Sequence, residues 1–565
     1  MKKIKTLFIL TSLLIIGSCE TFDLEQTKSP SQVPVELLDP VYAFNYVQLQ
    51  LPVFVDDAND FTQRVTRQMA MTGGNTYDNA FRPVNFNAVW SDGYNILNAV
   101  KVMEPKAIEL GETYALGASK LIRVYVLLTM TDMFGDIPYT EALQGNANLT
   151  PKYDKSADIY KGLFIEIDEA IAYLGQTNRE GSKIQDLYYN TKDSWITLAN
   201  TLKLKMLNNA RLAGSEIGVD IKSTMSAIIS SGNIIDMIEE DFQFQYGNSR
   251  FNPNTRHPLY NDQYELGGGA YIGNYFMWAV SVEKGTIIDP RTNYYFYKQD
   301  DSAQDEDSFT APANTRPSHY TDLKYRSFYE NSILTPYFVT SWTGLNTTLL
   351  PAGGFWGRDH GNNTGIPPDA ENRTVAGIYP IGGKYGTSPA SVQTSGTAGQ
   401  QGAGIMPIIL SSYVHFILAE YQLMENNNAV AAGQELEIAI RNSITKTTTF
   451  IEMPVGVPTQ SAIASATDAY WNFLSPKYNG FSTDKKLELI IKEFYIASWG
   501  NGIEPYNNYR RTGYPSNFQP TLEEASGVFF ATALYPASAA NNNPNMPNNV
   551  RTKKVFWDEL TTVLH

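Results

Sequence analysis

Cys19 is the only cysteine in 565 residues, so whatever this chain folds into is held by packing and not by an internal disulfide. A chain of this length buries a large core without covalent staples. Length alone suggests roughly three or four domains, but no Pro-, Gly- or Ser-rich linker divides the sequence, and one large body with long excursions is expected. The cysteine follows Lys2, Lys3, Lys5 and the apolar run Leu7 to Ile16. That run falls well short of the ~20 residues needed to span a bilayer, so it reads as the h-region of a removable secretory signal.

Ile16-Gly17-Ser18-Cys19 resembles a bacterial lipobox, in which small residues admit the signal peptidase and the thiol is acylated. Residues 1–18 are then the signal and 19–38 a lipidated tether, with Cys19 as the lipidation site. Each buried acyl methylene adds ~0.8 kcal/mol of membrane affinity, so a multiply acylated terminus holds a soluble body at a membrane. Glu20, Asp23 and Glu25, just past the cysteine, resemble the surface-export signal of Bacteroidetes lipoproteins. Residues 39–565 are expected to form a single body.

The formal charge of −15, near −18 once the three signal lysines are removed, argues against nucleic acid as a partner. Catalytic constellations are scarce. The five histidines show no metal-binding spacing, and neither a Gly-x-Ser-x-Gly elbow nor a Walker loop occurs. Ser482-Thr-Asp-Lys485 matches Ser-x-x-Lys but stands where a helix needs an N-cap. His415, in an apolar segment, reads as a satisfied core histidine. Asp56-Asp57-Ala58-Asn59-Asp60 and the run from Asp300 to Asp307 offer hard oxygens to a calcium ion, yet neither has EF-hand spacing, and both read better as solvated loops. No cofactor is expected.

Apolar residues recur at helical spacing over Phe86 to Met103, Tyr114 to Met133, Asp158 to Leu174 and Trp195 to Leu212, and again over Ile408 to Ile444 and Lys485 to Trp499. The fold class is therefore mainly α, with helical scaffold at about 85–235 and 407–500. Between them, at about 241–406, a glycine-punctuated stretch rich in Asn, Tyr, Trp and Pro has little periodicity, with a short strand expected at Tyr294 to Tyr297. A loop region this long and this aromatic is the expected source of a ligand face. Three clusters there and near the N-terminus set rigid aromatic rings among amides and charges, which suits stacking on a sugar whose hydroxyls need partners. They are Asn75, Tyr77, Asp78, Asn79, Phe81 and Arg82; Trp342 to Asn346; and Phe355, Trp356, Arg358, Asp359 and His360. Arg82, Arg358 and Arg373 would have to gather for an anionic glycan to be tolerated.

Arg123 to Ala142, with Phe134-Gly135-Asp136-Ile137-Pro138 inside it, and Ile490 to Pro515, with Arg510-Arg511, resemble the two signatures of the SusD/RagB nutrient-binding outer-membrane lipoproteins of Bacteroidetes, subgroup two. Asp289-Pro290-Arg291 and the lipobox agree. Two stretches depart from the pattern: Glu504-Pro505-Tyr506 stands for the usual Glu-Ala-Trp, and Thr552 to Asp558 replaces an arginine-rich, proline-tyrosine ending. The resemblance implies a tetratricopeptide-like helix-pair scaffold whose loops build the ligand face. It also implies a non-catalytic lid that captures oligosaccharide, or alternatively peptide, and delivers it to a SusC-like TonB-dependent transporter at the outside of the outer membrane. A surface glycoside hydrolase, whose paired carboxylates sequence cannot locate, and an adhesin are the competing classes. The signatures themselves read as packing devices, with Gly135 ending a helix and Arg510 and Arg511 forking onto carboxylates such as Glu504 or Asp136.

Overall fold

The computed structural model describes residues 39–71, 76–267, 270–285, 287–299, 355–361, 373–386, 389–392, 396–451, 456–521 and 526–560. The signal, Cys19, the tether, Asn75, Trp342 and the acidic run from Asp300 to Asp307 lie outside them.

Helix α1, Pro40–Val65, opens on Asp39, whose Oδ1 accepts from the Val41 amide at 2.9 Å, with Pro40 supplying a pre-set φ at the first turn. The expectation of a solvated loop at Asp56 to Asp60 is corrected here, because those acids stand on this helix. Its apolar positions Phe44, Val47, Leu51, Phe54, Val55, Ala58, Phe61 and Val65 form one buried face, and the acids fall on the others.

Helices α2, Asn87–Leu110, and α3, Thr113–Phe134, are separated by Gly111 and Glu112 alone. Gly111 caps α2 at φ +74°, a conformation that only glycine adopts at no cost, and so tight a turn returns the chain antiparallel. Nearly every side chain of α3 is buried, as a helix apolar all round requires. It packs against α1, α2, α4 (Ser156–Leu174) and α5 (Lys192–Asn209). α3 ends at Gly135, φ +81°, as expected. α5 stops at Asn209, short of Leu212.

The expected Ile408 to Ile444 helix is divided. Strand Ile405–Ile409 pairs antiparallel with Phe242–Gln245, and helices α6, Ser411–Met424, and α7, Ala429–Thr449, form the next packed pair. Helices α8, Gln460–Gly480, and α9, Thr483–Ala497, follow, and Ser482 caps α9 by accepting from the Lys485 amide. Helix α10 is Ile503–Thr512. Tyr294 to Tyr297 is only half extended: Thr292–Tyr295 is a helical turn, and Phe296–Tyr297 pairs with Val375–Ala376. One contiguous apolar core runs from Ala43 to Trp557.

Buried charges are paired across this core. Arg211 and Arg511 both ion-pair with Glu420; Lys205 pairs with Glu504 at 2.6 Å; Arg291 bridges Asp289 at 2.7 Å and Glu493 at 3.2 Å. The expected fork of Arg510 and Arg511 onto Glu504 or Asp136 is therefore corrected. Arg511 takes Glu420, and Arg510 donates to the Ala531 carbonyl and Asn507 Oδ1 while lying over the rings of Tyr506 and Trp557. His415 sits in the core with its ring nitrogens on Glu435 and the Asp236 carbonyl.

The segment 526–560 runs back over the N-terminal helices. The Ala533 amide donates to the Met133 carbonyl at 2.7 Å, Tyr535 Oη to the Asp136 carbonyl at 2.7 Å, and Trp557 Nε1 to Asp132 at 3.1 Å. Among the described residues no helix is long and apolar enough to cross a membrane.

Candidate functional site

The C-terminal half of α1 presents a polar stripe at helical spacing, Asp56, Asn59, Asp60, Gln63 and Arg64. This stripe forms one wall of a cleft of about 470 Å³, a size in the range of small-ligand sites. The rest of the lining is largely apolar, with Tyr271, Pro258, Pro380, Met406 and Trp499, and includes Asp262 and His257. Asn59 is fixed from both sides: Nδ2 donates to the Gly500 carbonyl at 2.9 Å and Oδ1 accepts from the Gly502 amide at 2.9 Å. Asp60 and Arg64 ion-pair one turn apart. Burial, with the charge of Asp60 second, pushes the Asp56 carboxyl up to about 7. Burial holds His257 down at about 3, so its ring is neutral, and Nδ1 accepts from the Leu259 amide at 3.1 Å.

Tyr271 is positioned by backbone pairing. The Ala70 amide donates to the Tyr271 carbonyl at 2.8 Å, and Met69 bridges Ile272. On its other side the Arg358 amide donates to the Ile272 carbonyl at 3.2 Å, and the Asn274 amide to the Arg358 carbonyl at 2.8 Å. The Arg358 and Arg373 guanidiniums lie 4.3 and 5.3 Å from the Tyr271 ring centre. Those two arginines do gather, then, but both are buried, while Arg82 is exposed elsewhere. Gly273 is the tight point of this ladder, since a Cβ there would stand 2.2 Å from the Arg67 carbonyl oxygen. Gly273→Ala is expected to cost about 1–3 kcal/mol, read as a lowered chemical-unfolding midpoint, because backbone and not a flexible side chain must give way.

The structure brings the first and third aromatic clusters together, though not as an open stacking face. Tyr77 Oη contacts His360 Nε2 at 3.1 Å, and the Tyr77 ring stacks on Phe81 and meets Phe530 edge-on. Phe355 packs on Phe296, and Trp356 is clamped by reciprocal bonds with Thr374 at 2.8 Å. Tyr77, Phe81, Phe355, Trp356 and Arg358 are all buried and serve as supports for the cleft wall and the core. Aromatic rings amid polar neighbours satisfied the core before they reached solvent. Asp78, Asn79 and Arg82 are exposed, and Asp78 pairs with Arg551. Asn75 and Trp342 lie outside the described residues. The stripe on α1 and Tyr271 escaped the sequence reading. Polar residues every three to four positions beside a complementary apolar face were the signal available for the stripe.

Among the described residues no group of three or more His, Cys, Asp or Glu side chains is placed to hold a metal ion.

A profile described as starch-binding associating with outer membrane matches residues 28–329, and one described as SusD and RagB outer membrane lipoprotein matches residues 391–557. No curated protein sequence matches the chain. Among solved structures, a chitin-binding SusD homologue from Flavobacterium johnsoniae is 19% identical with a TM-score of 0.62, covering 93% of this chain and 98% of its own. A SusD homologue from Bacteroides uniformis is 17% identical with a TM-score of 0.61, covering 92% and 100%. One from Bacteroides ovatus is 16% identical with a TM-score of 0.63, covering 92% and 99%. At these identities the likeness is one of fold.

Proposed function

Since the chain belongs to the SusD/RagB family of outer-membrane lipoproteins, we propose that it is a non-catalytic, cell-surface capture protein. It takes an oligosaccharide into the α1–Tyr271 cleft and hands it to a SusC-like TonB-dependent transporter. The observation that carries this reading is the cleft's division into a polar wall and an apolar wall. A sugar ring has the same division, with C–H faces that pack on aromatic and proline surface and a rim of hydroxyls that exchange hydrogen bonds with carboxylates and amides. The chitin-binding relative in the same fold favours a glycan ligand over a peptide. Acylation of Cys19 would keep the body beside its transporter and raise the effective concentration of the pair.

Calorimetric titration of the chain from residue 20 onward, against starch- and chitin-derived oligosaccharides and mixed peptides, tests this. Saccharide binding is expected, weakened about tenfold or more by Tyr271→Ala and little changed by Tyr271→Phe. Silence toward every saccharide, or binding of peptides alone, would sink the glycan reading. Co-purification of the acylated protein with a β-barrel transporter from outer membranes tests the delivery step, and an acylated protein that emerges alone speaks against it.

A further inference from the structure

The charge that lines the cleft is one-sided. Asp56, Asp60 and Asp262 face a single lining cation, Arg64, which is already ion-paired with Asp60. His257 is neutral, and Arg358 and Arg373 are buried against Tyr271 and do not line the cleft. Two polar groups on its walls have no hydrogen-bond partner. One is Asp262 Oδ2, an acceptor; the other is the indole Nε1 of Trp499, a donor on a ring that is only 1% exposed. A ligand that satisfies both must bring a donor, best a cationic one, to Asp262 and a hydroxyl or acyl oxygen to Trp499.

Resting on the saccharide-capture reading above, we infer that this cleft selects sugars bearing a free ammonium, 2-amino-2-deoxy oligosaccharides, over N-acetylated and uronic-acid oligosaccharides of equal length. The ammonium binds between Asp262 and the Asp56–Asp60 pair, where its charge favours ionisation of the Asp56 carboxyl that burial otherwise keeps protonated. The ring packs on the Tyr271 and Pro258 wall, with a hydroxyl accepting from Trp499. A uronate brings a second anion into a partly desolvated acidic cleft, where repulsion is screened less than on open surface. The N-acetyl group forfeits the charge-assisted bond.

The test is calorimetry on the chain from residue 20 onward, at about pH 6 in low salt, with length-matched glucosamine, N-acetylglucosamine and galacturonate oligomers and a lysine-bearing peptide. The glucosamine oligomer is expected to bind about tenfold tighter than its N-acetyl form, and the galacturonate oligomer more weakly than either. The preference should shrink as salt is raised toward 0.5 M, where the Debye length falls to roughly 4 Å. Asp262→Asn is expected to reduce it several-fold. Asp60→Asn, at an exposed position, should reduce it further, because it also removes the counter-charge of Arg64. Equal affinity for the ammonium and N-acetyl oligomers, or tighter binding of the uronate, would overturn this inference and leave saccharide capture standing. Peptide binding that exceeds every saccharide, or no binding of any saccharide, would overturn both.

Discussion

Glu420→Ala is expected to destabilise the protein by about 3–5 kcal/mol, seen as a large drop in the denaturant midpoint and in Tm. Glu420 on α6 is buried and receives Arg211 from the end of the N-terminal helical half and Arg511 from α10. Burial opposes its ionisation, but the two guanidiniums prevail and hold its carboxyl below the ordinary glutamate range. The pairing matters more for what its loss leaves behind than for what it contributes. Without Glu420, two cations remain in a low-dielectric interior with half their partners gone. Glu420→Gln keeps the volume and one acceptor and is expected to fall between parent and alanine variant. Arg511→Ala leaves Arg211 with Glu420 and Glu425, so it should cost less than Glu420→Ala; a reversed order would show that the double cation is not the strained element.

Asp57→Asn should make the protein more stable at alkaline pH, by about 2 kcal/mol at pH 9. Asp57 faces α2, where burial, then the hydrogen bond and charge of Asp92, push its carboxyl up to about 8. The sign follows from linkage. Below about pH 4 the folded and unfolded chains both hold this proton, and Asp57 carries no penalty. Between pH 4 and 8 the unfolded chain releases the proton while the folded chain keeps it, so stability falls as pH rises. Above pH 8 the penalty is complete. A full four-unit shift would correspond to more than the 2 kcal/mol expected, and the figure is reduced because the group is only half-buried. The amide introduced by the substitution can still donate to Asp92 without adding charge. Unfolding midpoints of parent and variant measured from pH 4 to 9 should converge at the acid end and separate toward the alkaline end. Parallel curves would show that the Asp57–Asp92 pair does not share a proton.

The helix pairs are legible in the sequence because their apolar residues repeat at 3.6 and their ends carry caps: Gly111, Gly135 and Ser482 stand where the chain turns. Helix α1 is hidden by its own polar wall. Pro52 and the acids at 56, 57 and 60 look like a loop when read in a row, and only the buried face at Leu51, Phe54, Val55, Ala58 and Phe61 shows that they share a helix with the core. Helix α8 escapes notice because alanine, serine and threonine dilute its apolar stripe. The candidate site is less legible than the fold. Its walls come from residues 56–70, 257–262, 270–271, 380–381, 406 and 499–500, which only the folded chain brings together. Aromatic side chains are the wrong signal for it: in the 355–360 cluster the rings brace the wall from behind, while the cleft itself is faced by a tyrosine that no local pattern sets apart. Likewise Arg510 and Arg511 are recognisable as packing groups while their partners are not, because Glu420 lies 91 residues from Arg511 along the chain.

The return of segment 526–560 over the N-terminal helices sets an order of events. Asp132, on the most buried of the described helices, is closed by Trp557, 425 residues later. The helix hairpins can form locally as they emerge, but the loop that carries Trp557 back to α3 is among the longest the chain can make, and contacts of such separation form last. A chain that lacks this segment leaves α3 uncovered and prone to aggregation. Completion of synthesis and closure of the core are thereby coupled through the last thirty-odd described residues.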